Sequence, residues 1–346
     1  MRGKMILFLF FISLVLVIVT GGSAYGYELY LGGTHSHTSY SDGKDTPSVA
    51  YDTARYKANL DFWAVTDHYE QLDSVKDAPA DSPKKEWDAM KKTAAEKTEN
   101  GKFVALAGYE WFDQSKGHMN VLNSDALAPY GMTYTLAKMR KWIVKHPDIL
   151  VGFNHPGDPD FKNKFDNFAF NAETASQTVY VGVNMLSDFD NYFMALDQGW
   201  RVGPVGEQDN HDADWGLKNL FTGVYADELT YEGLMDAFRA RRFYSTSARE
   251  MTLWFDADGN PMGSVIGSTG KVTFNIDVKK IAESGFRVVV YTNGGEVVKE
   301  WQPEPGEFKT ELAVENGGAT KWYVVAAQND KGAYSISAPI WINADR

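Results

Sequence analysis

The sequence predicts an α/β protein, a (βα) barrel, with a small all-β sandwich after it. Three observations predict this. Short apolar runs alternate with amphipathic stretches from Glu28 to about Ser247. Beyond about Met251 the helical spacing fades and turn-punctuated β-type runs take over. Six of the seven histidines fall at or just beyond the ends of apolar runs, where an α/β barrel gathers its site residues.

The amino terminus comes first. Arg2 and Lys4 precede an apolar run from Met5 to about Val19, followed by small residues through Gly26, the pattern of a secretory signal peptide spanning 1–26. The run falls short of the ~20 apolar residues a membrane span needs, so membrane contact is expected only if the segment stays uncleaved. A secreted protein, extracellular or periplasmic, is the expectation.

From 27 to 248 the apolar runs Leu29–Gly32, Phe62–Val65, Phe103–Ala107, Met119–Leu122, Ile149–Phe153, Val179–Val183, Val202–Val205 and Phe221–Tyr225 read as buried parallel strands. Between many of them lie helical patterns at Pro47–Ala58, Trp87–Thr98, Leu136–Lys145, Phe189–Leu196 and Tyr231–Arg241. Thr46 before Pro47 is a start signal, because a hydroxyl caps the first amides and proline suits the first turn. Roughly seven strand-helix units favour a barrel over a short open sheet. From 249 to 346 the runs Lys271–Val278, Phe286–Tyr291, Lys309–Val314, Lys321–Ala327 and Ile336–Ile342 are separated by turns such as Asn293-Gly294-Gly295. They fit a small sandwich of immunoglobulin-like type that abuts the barrel without a linker.

Composition narrows the chemistry. With 34 basic and 46 acidic residues the formal charge is −12, which argues against nucleic acid as the main partner, since no basic excess exists to release counterions. The chain has no cysteine, so any metal site is built from His, Asp and Glu, a donor set suited to zinc, manganese or iron. Nothing in the sequence specifies an oligomeric state.

The histidines have company. His35 and His37 lie two apart, a spacing that points both side chains to one face of an extended chain, and Asp209 and His211 repeat it. Asp42 sits in a Ser-Asp-Gly turn, and His68 ends Val65-Thr66-Asp67-His68. Glu110 follows a strand, His118 opens the next, and His155 closes another before Pro156. Singly, each has an ordinary structural explanation; together, at successive strand ends, they indicate one shared site. His146 lacks this context and reads as structural, favoured by the end of a helix dipole.

These residues carry a resemblance. Thr34–Gly43 (THSHTSYSDG) with Ala64–His68 is similar to the first two motifs of the PHP (polymerase and histidinol phosphatase) superfamily, and Glu110, His118, His155 and Asp209-Asn210-His211 follow in the same order. The signal peptide and appended sandwich resemble its secreted, carbaryl-hydrolase-like subgroup. The resemblance implies a distorted seven-stranded (βα) barrel of PHP type that holds up to three divalent ions. It implies that His35, His37, Glu110 and Asp209 hold the first, that Glu110 bridges to a second completed by His118 and His155, and that Asp42, His68 and His211 take the third. Asp67 then orients a ligand or moves a proton.

The expected activity is hydrolysis of a phosphomonoester or phosphodiester, small or polymer-derived, by a hydroxide generated on the metals, whose binding lowers the pKa of water to ~7. A carboxylic ester or carbamate hydrolase uses the same nucleophile on a carbonyl carbon and stays open. So does a non-catalytic secreted binding protein. Lys116, Arg242 and Arg249 are the candidate phosphate contacts, and Trp111 and Trp215 the candidate walls of the site.

Overall fold

The computed structural model describes residues 26–72, 85–113, 115–129, 135–159, 164–267 and 270–343. The segment read as a signal peptide lies outside these apart from Gly26. No described helix is long and apolar enough to cross a membrane.

The first region is built on β1 (Glu28–Gly33), β2 (Phe62–Val65), β3 (Val104–Asp113), β4 (Gly117–Leu122), β5 (Leu150–Phe153), β6 (Thr178–Gly182), β7 (Gly203–Val205), β8 (Phe221–Ala226) and β9 (Phe243–Thr246). Their order across the sheet is β9-β8-β1-β2-β3-β4-β5-β6-β7. Parallel ladders join β1 to β2, β2 to β3, β5 to β6 and β6 to β7. The β3–β4, β4–β5, β1–β8 and β8–β9 ladders are antiparallel. The expectation of an all-parallel barrel is therefore corrected to a large mixed sheet. The reason is connection length: only residues 114–116 separate β3 from β4, enough for a hairpin but far too few for a parallel crossover. At the far edge, β7 turns back toward β8 and β9. The Gly206 amide donates to Thr222 Oγ1 at 3.0 Å, and a Cβ at Gly203 would stand 2.6 Å from the Phe243 ring.

Helices cover the sheet where the spacing predicts them. Lys85–Lys97 buries Trp87, Met90 and Ala94, one stripe at helical intervals. Leu136–Val144, Phe189–Asp197 and Tyr231–Ala240 also form, the last capped by Thr230, whose hydroxyl oxygen accepts from the Gly233 amide at 3.0 Å. Pro47–Asp52 starts with proline as expected and runs on into a π-helical turn, Thr53–Lys57. The Thr46 hydroxyl makes no capping bond, so proline's fixed φ is the start signal that operates there.

The second region has β10 (Thr252–Ala257), β11 (Asn260–Pro261), β12 (Val265–Gly267), β13 (Lys271–Ile281), β14 (Arg287–Thr292), β15 (Glu296–Trp301), β16 (Gly306–Glu315), β17 (Lys321–Gln328), β18 (Tyr334–Ser337) and β19 (Ile340–Asn343). One sheet runs β11-β10-β13-β16; the other is β12-β19-β17-β18, with β14 beside β17 and β15 beside β14. Alternate residues such as Phe255, Phe274, Val288, Val325 and Ile340 bury one apolar core between them. Phe274 and Tyr323 meet across it with ring centroids 4.8 Å apart. The two regions do more than abut: β18 pairs with β9, so one sheet passes from the first into the second. Trp322 Nε1 donating to Asp197 at 2.8 Å and Tyr192 donating to the Ser337 carbonyl at 3.1 Å tie the seam.

Candidate metal centre

All nine carboxylates and imidazoles anticipated as ligands lie in one place. Strand direction explains why. His35 and His37 extend β1 beyond its carboxyl end, held by Ser36 against Thr66 and Asn210. His68 lies just past β2, where the Glu110 amide donates to the Asp67 carbonyl at 3.1 Å. Glu110 is in the far half of β3. Because β4 runs antiparallel, its first residues are at that same end, which brings in His118. His155 follows β5, and Asp209 and His211 follow β7.

Glu110, 1% exposed, is the hub. Its Oε1 lies 3.1 Å from His118 Nδ1, 3.1 Å from His155 Nε2 and 3.3 Å from His35 Nε2. Its Oε2 lies 3.1 Å from His68 Nδ1 and 3.5 Å from His37 Nε2. Asp209 Oδ1 lies 3.2 Å from His35 Nε2 and 3.1 Å from His37 Nε2. Asp42, 48% exposed at the mouth, stands 3.3 Å from His211 Nε2 and 3.7 Å from His68 Nε2. Three overlapping donor groups result: His37, Asp42, His68 and His211; His35, His37 and Asp209; and His35, Glu110 and His155. His118 joins them through Glu110.

The local chemistry fits cations. Metal–ligand bonds of ~2.1 Å place tetrahedral donors about 3.4 Å apart, close to these spacings. Buried His35 Nε2, His37 Nε2, His68 Nδ1 and Asp209 Oδ1 have no hydrogen-bond partner of good geometry although they face one another. Such orphaned atoms are costly unless something between them satisfies them. The outer contacts aim the rings. The Thr66 hydroxyl lies 3.3 Å from the Ser36 carbonyl, to which it donates, and 2.7 Å from His35 Nδ1. Its oxygen thus accepts from Nδ1–H and leaves the Nε2 lone pair toward the centre.

Metal-free electrostatics show the same strain. Burial pulls His35 down, but Glu110 and Asp209 outweigh it and hold the imidazole well above its ordinary value. Burial raises Glu110 and Asp209 in turn, yet His35 overcomes it and both carboxyls titrate below the usual range. His68, desolvated, falls to about 4. The backbone is strained at two of the candidate ligands: His155 has φ 21° and Asp209 φ 48°, both in the region that disfavours a side chain.

Asp67 is buried and accepts from the Thr38 amide, the Thr38 hydroxyl and the Ser41 hydroxyl, each at 2.6 Å. Ser41 Oγ in turn lies 3.3 Å from His37 Nδ1. These contacts suit the orienting role rather than proton transfer. Gly43 is required in the same loop, since a Cβ there would stand 2.7 Å from the His37 carbonyl.

The expected phosphate contacts are engaged by other partners. Lys116 pairs with Asp166 at 2.5 Å, on the left-handed turn Phe165–Phe168. Arg242 stacks over Tyr27 and donates to the Tyr225 carbonyl, at the end of the sheet opposite the cluster. Arg249 donates to the carbonyls of Ala58 and Asn59. Their charges are spent on local partners. Trp111 is a fully buried core residue, and Trp215 Nε1 donates to the His37 carbonyl at 3.0 Å, so it braces the loop from behind. Phe112 lies beside the cluster. Strand alternation puts it on the Glu110 face of β3, opposite His118, with ring centroids 5.7 Å apart. His146 is structural as read: Nδ1 bonds the Trp142 carbonyl at 2.7 Å, and the ring stacks on Trp142.

Two further residues had no sequence signal. Asn154 Nδ2 donates to Glu110 Oε1 at 2.7 Å, and its Oδ1 accepts from the Asn120 amide at 3.1 Å. Glu207, 2% exposed, lies beneath His155, and burial pushes its carboxyl up to about 7.

No family model and no curated protein matches this sequence. Among solved structures, a crystal structure from Bacteroides vulgatus ATCC 8482 does: a two-domain protein containing a predicted PHP-like metal-dependent phosphoesterase. The TM-score is 0.50 at 16% identity, over 90% of this chain and 96% of that one. The two chains share a fold.

Proposed function

We propose that this chain is a secreted, metal-dependent phosphoesterase of PHP type, with a hydrolase region at 27–248 and a β-sandwich at 249–346. One observation carries the reading: nine His, Asp and Glu side chains come together around buried Glu110, itself one of them, and the inward nitrogens of His35, His37 and His68 are unsatisfied. The fold shared with the Bacteroides protein supports it, as does the order of motifs in the sequence. Carboxylates and imidazoles without thiolate suit zinc, manganese or iron. Divalent ions held there supply a Lewis acid for a phosphoryl oxygen and a low-pKa water.

The chain's own part is placement. Glu110 offers Oε1 to His35, His118 and His155 and Oε2 to His37 and His68, so a single carboxylate faces both sides of the cluster. Thr66, Ser41 and Asn154 aim His35, His37 and Glu110. The buried floor excludes water from beneath, while Asp42, His211 and Asp209 stay open to solvent, so substrate enters from their side. No serine or cysteine nucleophile is needed.

The test is hydrolysis of p-nitrophenyl phosphate, bis-p-nitrophenyl phosphate and an aryl carboxylic ester by the mature protein, with and without chelator. Phosphoester turnover abolished by metal removal and restored by added zinc or manganese is expected. Turnover that survives complete metal removal refutes the proposal, and turnover of the carboxylic ester alone replaces it with a carboxylesterase.

A further inference from the structure

Beneath the cluster lies a carboxylate that belongs to none of the three donor groups. Glu207 follows β7, two residues before Asp209, and is 2% exposed. Its Oε2 accepts the main-chain N–H of His155 at 3.0 Å, while its own amide donates to Asn184 Oδ1 at 3.0 Å. Oε1 is buried with no partner. A carboxylate so poorly satisfied in the interior is costly to keep.

The surroundings are shaped for it. A Cβ on Gly182 of the neighbouring strand β6 would stand 2.1 Å from Glu207 Oε2 and 2.9 Å from the His155 nitrogen. Only glycine therefore leaves room for this carboxylate to reach that amide. The amide belongs to a residue in a strained conformation, φ 21°, whose imidazole must point at Glu110. On its other side the same segment is pinned by the Asn154 amide donating to the His118 carbonyl at 2.9 Å.

Resting on the metal-centre reading above, we infer that Glu207 is a positioning residue. Its Oε2 holds the His155 main chain in a conformation the peptide would otherwise leave, so that Nε2 meets Glu110 in the His35, Glu110 and His155 donor group. The strain at His155 is sustained by this bond and by the space Gly182 leaves for it. Glu207 itself does not ligate.

The experiment titrates chelator-stripped full-length protein with zinc against a chromophoric competitor, and records thermal unfolding of each stripped form. Glu207→Leu removes the acceptor and is expected to weaken zinc binding about 10–100-fold, the range for outer-sphere partners. Glu207→Gln keeps an acceptor oxygen and is expected to stay within about threefold of the native chain. Gly182→Ala leaves every polar group present but displaces the carboxylate, and should behave like Glu207→Leu; it decides the matter if the leucine variant does not fold. Native affinity in a folded Glu207→Leu or Gly182→Ala variant overturns the inference. So does an equal loss in Glu207→Gln, which would make the charge, and hence ligation, the relevant property. If the native chain binds no zinc, the metal-centre reading fails first and this inference falls with it.

Discussion

Two buried carboxylates, one in each region, show what distinguishes a site from a scaffold. Asp256 on β10 is 5% exposed, yet its oxygens accept from Trp254 Nε1 at 2.9 Å, the Gly259 amide at 3.0 Å and Asn275 Nδ2 at 2.7 Å. Each of these donors carries a fixed proton, so the protein satisfies that charge by itself. Glu110 is as deeply buried, but apart from Asn154 it is ringed by imidazole nitrogens whose protons depend on pH and tautomer. The first environment is completed by fixed donors alone; the second becomes complete only with protons or cations. Burial is the same, and the fixed donors differ.

That contrast breaks most visibly at its hub. Glu110→Gln should lower phosphoester turnover by more than the roughly 100-fold that losing an outer partner costs, with a matching loss of bound metal. Near-ultraviolet circular dichroism of the second region should be unchanged. Near-native rates would show that Glu110 does not bridge.

Next in size is the response to pH. His35 and His155 are both raised above 6.5 in the folded, metal-free chain. Their contribution to stability is therefore fully present below 6.5 and lost as pH rises through their folded values. Metal binding competes with the same protons, so its stabilisation grows with pH and reaches about 3–4 kcal/mol at 100–1,000 times Kd. Thermal scans from pH 6.5 to 8.5 should show the metal-dependent gain in Tm widening; a constant gap would contradict the protonation states deduced at the centre.

Smaller effects sharpen the comparison. Thr66→Val removes the partner of His35 Nδ1 and should weaken metal binding about 10–100-fold while the fold persists. Competition titration would measure it. Asp256→Asn, facing the same donors with one oxygen fewer, should cost about 1 kcal/mol in urea unfolding and leave metal content and turnover untouched. A loss of metal in that variant would mean that the two environments are coupled.

The sequence made some of this legible because periodicity and motif spacing are local. Strands such as Phe62–Val65 and helices such as Leu136–Val144 fall within a residue or two of their apolar patterns. All nine residues of the cluster are legible by type, most of them by position at the ends of apolar runs and Asp42 by its Ser-Asp-Gly turn. Pairing direction was not, because the apolar run that stops at Ala107 hides a strand continuing through Glu110 to Asp113, and with it the hairpin. β9, Phe243–Thr246, is not legible because two of its four residues are Ser and Thr, buried here by hydrogen bonds to the Val183 carbonyl and to Ser335. Phe112 is not distinguishable from Trp111 in the sequence without β3's phase. Glu207 and Asn154 act through the main chain and through other side chains, contacts that no spacing encodes.

The central claim is that Glu110 and its imidazoles are incomplete without cations. Its most direct test is elemental analysis of purified full-length protein, supplied with zinc or manganese and then dialysed. The account predicts more than one equivalent of divalent metal per folded chain, lost in Glu110→Gln. A native chain that is folded by circular dichroism yet retains no divalent ion would contradict it.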